Sequence, residues 1–491
     1  MLVRDVAAVA TTRSGAYAVE IVVAILLTAC SYGVPMVWGM AGANALITVA
    51  SLTVLVICTV VCLLMGPTMF LTYWIVLSVT QNFFVGIWHG SAQTEIPLLV
   101  TESKTLVLVL AAIFYVGPIL RYLKSQRAIV LSVMAYFLLL LIHLRKIDGA
   151  TLAYLRNFMA PLVILFVAAA VTAHMVQSER LKYLRSLALG VIVLMFCGSI
   201  AELLVGTEEW RLLVNAESSG ALSSLSETTS FLGYTLPRIG GILVEPTNAG
   251  YVAAIAFLVF ALPATMKKES GSISLTTWAG LFFSVLIMGL AAAKSGALML
   301  LIALVCFYLF RSRLRSAFAF ILGWVFAFSV TAFYVVYAKG LGSLGPAFTN
   351  PVAIVGGDST TFHFAGFIYG LRSVVGHGIG VGGNFNRISG ESWIQWLGTG
   401  SESSWGVLAY QSGLLGLLLW LIALCIVGEK WGYSSAVLLC SWAAGAMFAE
   451  AMIGPQVAGL AMVGAALMRA DHAKPLAVNS VAHTYTARGS L

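Results

Sequence analysis

Four basic side chains in this sequence have the chemistry to hold a phosphate-bearing substrate. A guanidinium group presents two parallel N–H donors to a phosphate, whereas an ammonium group acts as a point charge. Arg238 has an alternative interpretation as a juxtamembrane side chain that reaches the lipid headgroups. Lys294, which separates two short apolar runs, has the alternative of facing water. The candidate anion-binding residues are Arg238, Lys294, Arg372 and Arg387.

Three further side chains are candidate acceptors for a proton from a substrate hydroxyl: Glu245, His363 and Glu402. Glu245 follows Arg238 by seven residues, and the glycine pair between them lets the backbone approach a ligand closely. Glu402 stands where a helix is predicted to begin, with Ser401 as its cap, so the helix dipole keeps the carboxylate ionised. The alternative is that Glu402 only caps that helix.

Aromatic side chains near these groups are candidates for stacking on a sugar. The alternative for the tryptophans is an interfacial belt, which is common in membrane proteins. His363 precedes Arg372 by nine residues, about 180° around an ideal helix. The two therefore meet at one site only if the segment bends or the ligand is held from two sides. The candidate glycan-binding residues are Tyr369, Trp393, Trp396 and Trp405.

Aspartate is too scarce for a cage of oxygen ligands around a divalent ion. The chain contains only Asp5, Asp148, Asp358 and Asp471, and two of these, Asp148 and Asp358, are predicted on the outer side of a membrane. We therefore expect no metal in the reaction.

The elements that position these side chains must lie in a membrane. The chain has 491 residues, of which 60% are hydrophobic and 9% charged, and its mean hydropathy is +0.97. Soluble proteins carry about 25% charged residues. The composition therefore excludes a soluble enzyme, a nucleic-acid-binding protein and a disordered scaffold.

Apolar runs predict an all-α polytopic membrane protein with about 14 transmembrane helices, within a range of about 12–14. The pair 275–291 and 296–310 is short and is typical of a hairpin. The predicted segments are 17–37, 43–65, 69–88, 105–120, 128–144, 158–176, 186–206, 247–264, 275–291, 296–310, 317–338, 405–427, 433–450 and 453–468.

Basic residues determine the predicted orientation. With the N-terminus in the cytoplasm, most basic clusters lie on the cytoplasmic side, as the positive-inside rule requires, and Arg145-Lys146 is the main exception. The two long hydrophilic segments then both lie outside, where loops of this length are usually functional. The predicted organisation is N-terminal helices 1–206, outer loop 207–246, helices 247–338, outer loop 339–404, and helices with a cytoplasmic tail 405–491.

A series of motifs follows one order along residues 185–430. Arg238 and Glu245-Pro246 lead into a span, Lys294-Ser295-Gly296 lies in the hairpin, a glycine-rich run covers 378–385, and Ser401-Glu402 precedes Gly413-Leu-Leu-Gly416. In content and order these motifs resemble the bacterial O-antigen ligase/polymerase superfamily, and within it the Wzy-type O-antigen or exopolysaccharide polymerases.

The resemblance implies a fold like that of the GT-C membrane glycosyltransferases. It implies transfer of a growing glycan from undecaprenyl-pyrophosphate to a lipid-linked repeat unit, with inversion and without metal, nucleotide or other cofactor. The four cations would then neutralise the leaving pyrophosphate, and Glu402, His363 or Glu245 would take the hydroxyl proton.

The resemblance also implies a location and partners. The chain would lie in the bacterial cytoplasmic (inner) membrane, with both termini cytoplasmic and the active site periplasmic. Membrane lipid, a chain-length regulator and a flippase are the implied partners besides the lipid-linked oligosaccharide, and nucleic acid is not one.

Two departures from the superfamily pattern favour a polymerase over a ligase. Glu245-Pro246-Thr247 replaces the commoner Asn-Pro-Asn, and Glu402 occupies the place where ligases usually carry His. A ligase that transfers glycan to lipid A or protein stays an alternative, and a polysaccharide-related transporter is the alternative of another class. A transporter is expected to show repeated halves, broken helices and charges within its spans.

Overall fold

The structure is a computed structural model, and it describes most of the apolar part of the chain. The described residues are 13–40, 44–92, 103–143, 149–173, 175–214, 228–231, 234–266, 274–310, 316–340, 342, 349, 359–376, 379–380, 403–448 and 455–470.

These residues form 17 α-helices and one short antiparallel hairpin, β1 (Thr228–Phe231) with β2 (Tyr234–Pro237). The predicted all-α class therefore holds apart from this hairpin in the first loop. The helices are α1 Arg13–Met40, α2 Asn44–Met65, α3 Pro67–Ala92, α4 Ser103–Phe114, α5 Val116–Ser125, α6 Arg127–His143, α7 Gly149–Val171, α8 Gln177–Val205, α9 Thr207–Leu213, α10 Pro246–Met266, α11 Leu275–Ala291, α12 Lys294–Phe310, α13 Ser316–Lys339, α14 Ser359–Gly376, α15 Ser404–Trp431, α16 Tyr433–Gly445 and α17 Pro455–Met468.

Each of the fourteen predicted apolar segments coincides with a helix or, for 105–120, with the pair α4 and α5. In the described residues, six helices are long and apolar enough to cross a membrane, and seven are if that pair, bent by 78°, is one span. Six further apolar helices have 10–17 residues. The chain is thus a helical, multi-pass membrane protein. The six segments are Ala16–Val34, Pro67–Trp88, Gln177–Val205, Pro246–Pro263, Phe320–Tyr337 and Ser404–Trp431.

Helices α10 and α17 lie at the centre of the bundle. Every side chain from Tyr251 to Ala256 is fully buried, as is every one from Val457 to Leu467. Both helices are rich in alanine and glycine, and such small residues let helices pack closely inside a membrane. By contrast, α1 is peripheral and exposes Val22, Leu26 and Val37, as expected of a helix that faces lipid.

The second long segment contains a buried helix, which the sequence did not predict. Helix α14 packs against α15 and α13: Phe364 lies 5.7 Å from Phe328 between ring centroids, and a side-chain carbon on Gly370 would lie 2.1 Å from the Gly406 carbonyl oxygen. Part of the predicted outer loop is therefore built into the helix bundle.

Helix α15 is interrupted at Gly413, where φ is 65° and ψ is −166°. Only glycine adopts this conformation readily. The helix begins at Ser404 and its cap is Ser403, whose Oγ accepts a hydrogen bond from the Gly406 amide at 3.0 Å. The predicted cap Ser401 is therefore wrong, because the helix begins two residues later than the sequence suggested.

Candidate functional site

Arg238 connects the start of α10 to the end of α11. Its side chain is 8% exposed. Nε donates to the Ala291 carbonyl at 3.3 Å, and Nη2 donates to Thr247 Oγ1 at 2.9 Å. The next amide, of Ile239, donates to the Leu290 carbonyl at 3.0 Å, so the backbone also follows the last turn of α11. The guanidinium group is therefore fixed by the protein itself.

Glu245 lies beside Arg238 at the first turn of α10. Asn248 Nδ2 donates to Glu245 Oε2 at 2.6 Å. Burial lowers the pKa of the Arg238 guanidinium from its ordinary value, the Glu245 carboxylate raises that pKa, and the Arg211 guanidinium lowers it. An arginine stays protonated despite such a shift, and a buried charge needs an opposite charge nearby. Glu245 supplies that charge.

Arg211 also contacts Arg238, and it was not among the candidates selected from the sequence. It lies in the short helix α9, and its Nη2 donates to the Arg238 carbonyl at 3.3 Å. The neighbouring Trp210 donates from Nε1 to the Gly241 carbonyl at 3.3 Å and stacks on Phe83 at 5.5 Å. A tryptophan and an arginine directly after a span were the signal that could have identified this segment.

Gly241, the second glycine of the pair between Arg238 and Glu245, lies against helix α8. The Gly241 amide donates to Glu202 Oε2 at 2.7 Å, and Glu202 is 2% exposed. A side-chain carbon on Gly241 would lie 2.8 Å from the Ser199 amide nitrogen, and its φ is +55°. The Gly241 backbone therefore packs against α8, and the approach of this pair to a ligand stays a prediction. We call Arg211, Arg238, Glu245, Thr247 and Asn248 the Arg238 cluster.

The starts of α10 and α12 touch next to this cluster. A side-chain carbon on Gly296 would lie 2.7 Å from the Gly250 carbonyl oxygen, so no larger residue fits without a shift. Lys294, the first residue of α12, is exposed, and its Nζ lies 5.4 Å from the centre of the Tyr334 ring. The first amides of a helix lack partners within it, and the dipole makes that end positive. Two positive helix ends and Lys294 therefore favour an anion here.

Three of the predicted site residues of the second segment, His363, Tyr369 and Arg372, lie on α14. Arg372 is exposed and donates from Nη1 to the Thr349 carbonyl at 2.8 Å. His363 and Tyr369 are half-buried. Because α14 is one helix over Ser359–Gly376, His363 and Arg372 point about 180° apart. The bend that would bring them to one site is absent from this helix.

Trp405 does not lie on a glycan-accessible surface. It is fully buried, its Nε1 donates to the Ala443 carbonyl at 2.6 Å, and its ring centre lies 4.5 Å from that of Trp324. Its prediction as a glycan-binding residue is therefore wrong, because the indole is used for packing. Four other candidates lie outside the described residues: Arg387, Trp393, Trp396 and Glu402.

The described part of the site can hold an anion beside a fixed carboxylate. It brings together Arg238, Glu245 and the start of α12 with Lys294. His363, Tyr369 and Arg372 lie apart from these residues in sequence, on α14, which packs against α13 and α15. Among the described residues, no group of three or more His, Cys, Asp or Glu side chains is arranged to hold a metal ion. Comparisons of the chain with protein-family models, curated proteins and solved structures found no match.

Proposed function

We propose that this chain is a membrane glycosyltransferase that polymerises lipid-linked oligosaccharide repeat units. The observation that carries the proposal is the contact between two helix starts, Gly250 against Gly296, beside the Arg238 cluster. The motif resemblance selects undecaprenyl-pyrophosphate as the carrier. The alternative ligase would move finished glycan to lipid A or to protein.

The helix starts suit a pyrophosphate leaving group. As the bond between the anomeric carbon and the pyrophosphate oxygen breaks, negative charge grows on that oxygen, and positive groups already in place stabilise it. Lys294 is exposed at the start of α12, whereas Arg238 is held by Ala291 and Thr247. Lys294 then contacts the pyrophosphate, and Arg238 positions the two helix starts. Arg372 and Arg387 complete the proposed anion-binding set.

The acceptor hydroxyl attacks the anomeric carbon from the opposite side and gives its proton to a carboxylate or imidazole. Glu402, His363 and Glu245 are the proposed acceptors. Glu245 accepts a hydrogen bond from Asn248 and lies beside Arg238. A carboxylate can accept a proton, and Glu245 is the one proposed carboxylate among the described residues.

The proposal includes an architecture of about 14 spans like that of the GT-C enzymes. It places the Arg238 cluster on the periplasmic side of the bacterial inner membrane, with both termini in the cytoplasm. The supporting pattern is the excess of basic residues in the predicted cytoplasmic loops. The proposed glycan contacts are Tyr369, Trp393 and Trp396.

The experiment is a glycan profile of a deletion strain that carries variants of the gene. Lys294→Gln is expected to reduce long-chain glycan about 100-fold, because one stabilising cation is lost in the transition state. Lys124→Gln, which removes an exposed lysine of α5, is the matched control and should leave chain length normal. Normal chains from Lys294→Gln would contradict the assignment.

The same profile separates the alternatives. Loss of a polymerase leaves single repeat units on the acceptor, loss of a ligase leaves long chains on the carrier, and loss of a flippase traps units inside. The transporter alternative is favoured by one observation: α15 breaks at Gly413, near the buried Gln411, whose amide atoms have no hydrogen-bond partner among the described residues. Broken helices of this kind carry the substrate sites of transporters.

A further inference from the structure

At the end of the bundle opposite the Arg238 cluster lies a cavity of about 380 Å³. Helix α8 extends between the two ends: its first residues line the cavity, and Glu202 in its last turn binds the Gly241 amide. Helix α10 runs the other way, from the cluster to Pro263 in the cavity wall. A helix of 29 residues is about 43 Å long, whereas the hydrocarbon core of a bilayer is about 30 Å thick. The cavity therefore lies at the level of the lipid headgroups.

One face of α8 supplies the polar side of the cavity. Ser178, Leu181, Lys182 and Arg185 follow the spacing of a single helical face, and all four line the cavity. Lys182 is exposed at the edge, and Arg185 Nε is buried without a hydrogen-bond partner among the described residues. Among the described residues that line the cavity, none carries a carboxylate. The cavity thus presents two cations to whatever enters it.

Further cations stand behind the cavity wall. Trp431 lines the cavity and donates from Nε1 to the Tyr122 hydroxyl at 3.1 Å. The Arg469 guanidinium lies 5.5 Å from the centre of the Tyr122 ring, and Arg180 is fully buried on α8. Two further guanidinium groups therefore lie close to Tyr122, behind the part of the cavity wall that Trp431 forms.

The opposite side of the cavity is apolar. Pro263 of α10, Trp431 of α15 and Met468 of α17 form this part of the lining. A free inorganic anion would leave these side chains unused, whereas an amphiphile would place its phosphate on the cations and its glycerol and ester groups against the apolar wall. Basic pockets between transmembrane helices bind anionic lipid headgroups in this way.

We propose that this cavity, between the start of α8 and the turn that joins α15 to α16, binds the phosphodiester headgroup of an anionic membrane lipid. The site is separate from the Arg238 cluster and does not depend on the function proposed for it. Lys182 and Arg185 hold the phosphate, and the apolar wall receives the glycerol backbone.

The experiment titrates the purified full-length chain, in neutral detergent, with phosphatidylglycerol and follows the melting temperature. Phosphatidylglycerol should raise the melting temperature, whereas phosphatidylcholine and inorganic phosphate at equal phosphate concentration should not. The double variant Lys182→Gln/Arg185→Gln should weaken the apparent affinity for phosphatidylglycerol about tenfold. The matched control, Arg121→Gln/Lys124→Gln on the exposed face of α5, should stay within about twofold of the unmodified chain.

A cavity-filling variant keeps the test informative if the charge variant fails to fold. Ser434→Trp leaves every charge in place and should also weaken the apparent affinity about tenfold, by occupying the cavity. An equal rise with inorganic phosphate would overturn the lipid assignment in favour of a soluble anion. Equal losses in the cavity and control variants would overturn the site in favour of a diffuse basic surface, and so would the absence of any rise with phosphatidylglycerol.

Discussion

The two ends of helix α8 hold positive charge in different ways. At the Arg238 cluster, the buried guanidinium is fixed by Ala291, Thr247 and the neighbouring Glu245. At the cavity, Lys182 and Arg185 line a space of about 380 Å³ between the helices. The first arrangement uses a cation to join segments of the protein, and the second leaves cations available to a ligand. We therefore expect that removing charge at the Arg238 cluster lowers the stability of the protein. Removing charge at the cavity should weaken ligand binding and change stability little.

The largest effect is expected from Arg238→Ala. The substitution removes two hydrogen bonds and leaves Glu245 without its buried counterion, so the free energy of unfolding should fall by about 3 kcal/mol. Unfolding in mixed micelles with increasing denaturing detergent measures it. Arg372→Ala is the control. Because Arg372 is exposed, this substitution should lower the free energy of unfolding by only about 0.5 kcal/mol. Equal losses in the two variants would contradict the structural role of Arg238.

A smaller loss of stability is expected from a substitution at the contact between the first turns of α10 and α12. Gly296→Ala places a methyl group 2.7 Å from the Gly250 carbonyl, so backbone must move and the free energy of unfolding should fall by about 2 kcal/mol. Gly289→Ala, in the same hairpin, meets nothing within 4 Å and should change it by about 0.5 kcal/mol or less. If both variants unfold alike, the close contact between α10 and α12 is not present in the protein.

Two buried glutamines give a third comparison. Gln411→Leu removes an amide without a hydrogen-bond partner among the described residues, so stability should rise by about 1 kcal/mol. Gln456→Leu breaks the bond from Gln456 Nε2 to Asn82 Oδ1, at 3.4 Å, and should lower it by about 1 kcal/mol. The same unfolding assay applies to both. A loss of stability in Gln411→Leu would show that its amide has a partner in the protein.

The smallest effect is expected at the cavity. In lipid-free detergent, Lys182→Gln/Arg185→Gln should change the free energy of unfolding by about 0.5 kcal/mol or less per side chain, because no hydrogen bond joins either cation to another segment among the described residues. The measurement is again the unfolding midpoint. A loss close to that of Arg238→Ala would remove the distinction between the two ends.

The helices were largely predictable, because runs of apolar residues in a membrane protein have few alternatives to helix. Helix α14 was not, since its sequence mixes threonine, histidine, glycine and arginine and is flanked by glycine-rich stretches. Its burial depends on Phe328 of α13 and Gly406 of α15, which are distant in sequence. The hairpin β1–β2 was missed for a related reason, as it lies in a polar segment.

The site was predictable only in part. Arg238 and Glu245 were selected from the sequence as separate candidates, and the structure places them close enough to interact electrostatically. Thr247 and Arg211 were missed because their bonds to Arg238 depend on how the loop folds back. Trp405 was misassigned because its partner, the Ala443 carbonyl, lies 38 residues away. Contacts between charged residues that are close in the sequence can be predicted from it. The neighbours of a buried aromatic ring are distant in the sequence and become known only from the fold.

Helix α8 is continuous over 29 residues, and its two ends make different contacts. Its first residues carry Lys182 and Arg185, and its last turn carries Glu202 on the Gly241 amide. If such a helix pivots near its middle, its ends move in opposite directions. The tilt of α8 in the bilayer therefore determines the positions of both helix ends together. A bilayer of different thickness, by changing that tilt, would move the cavity residues and Glu202 at the same time.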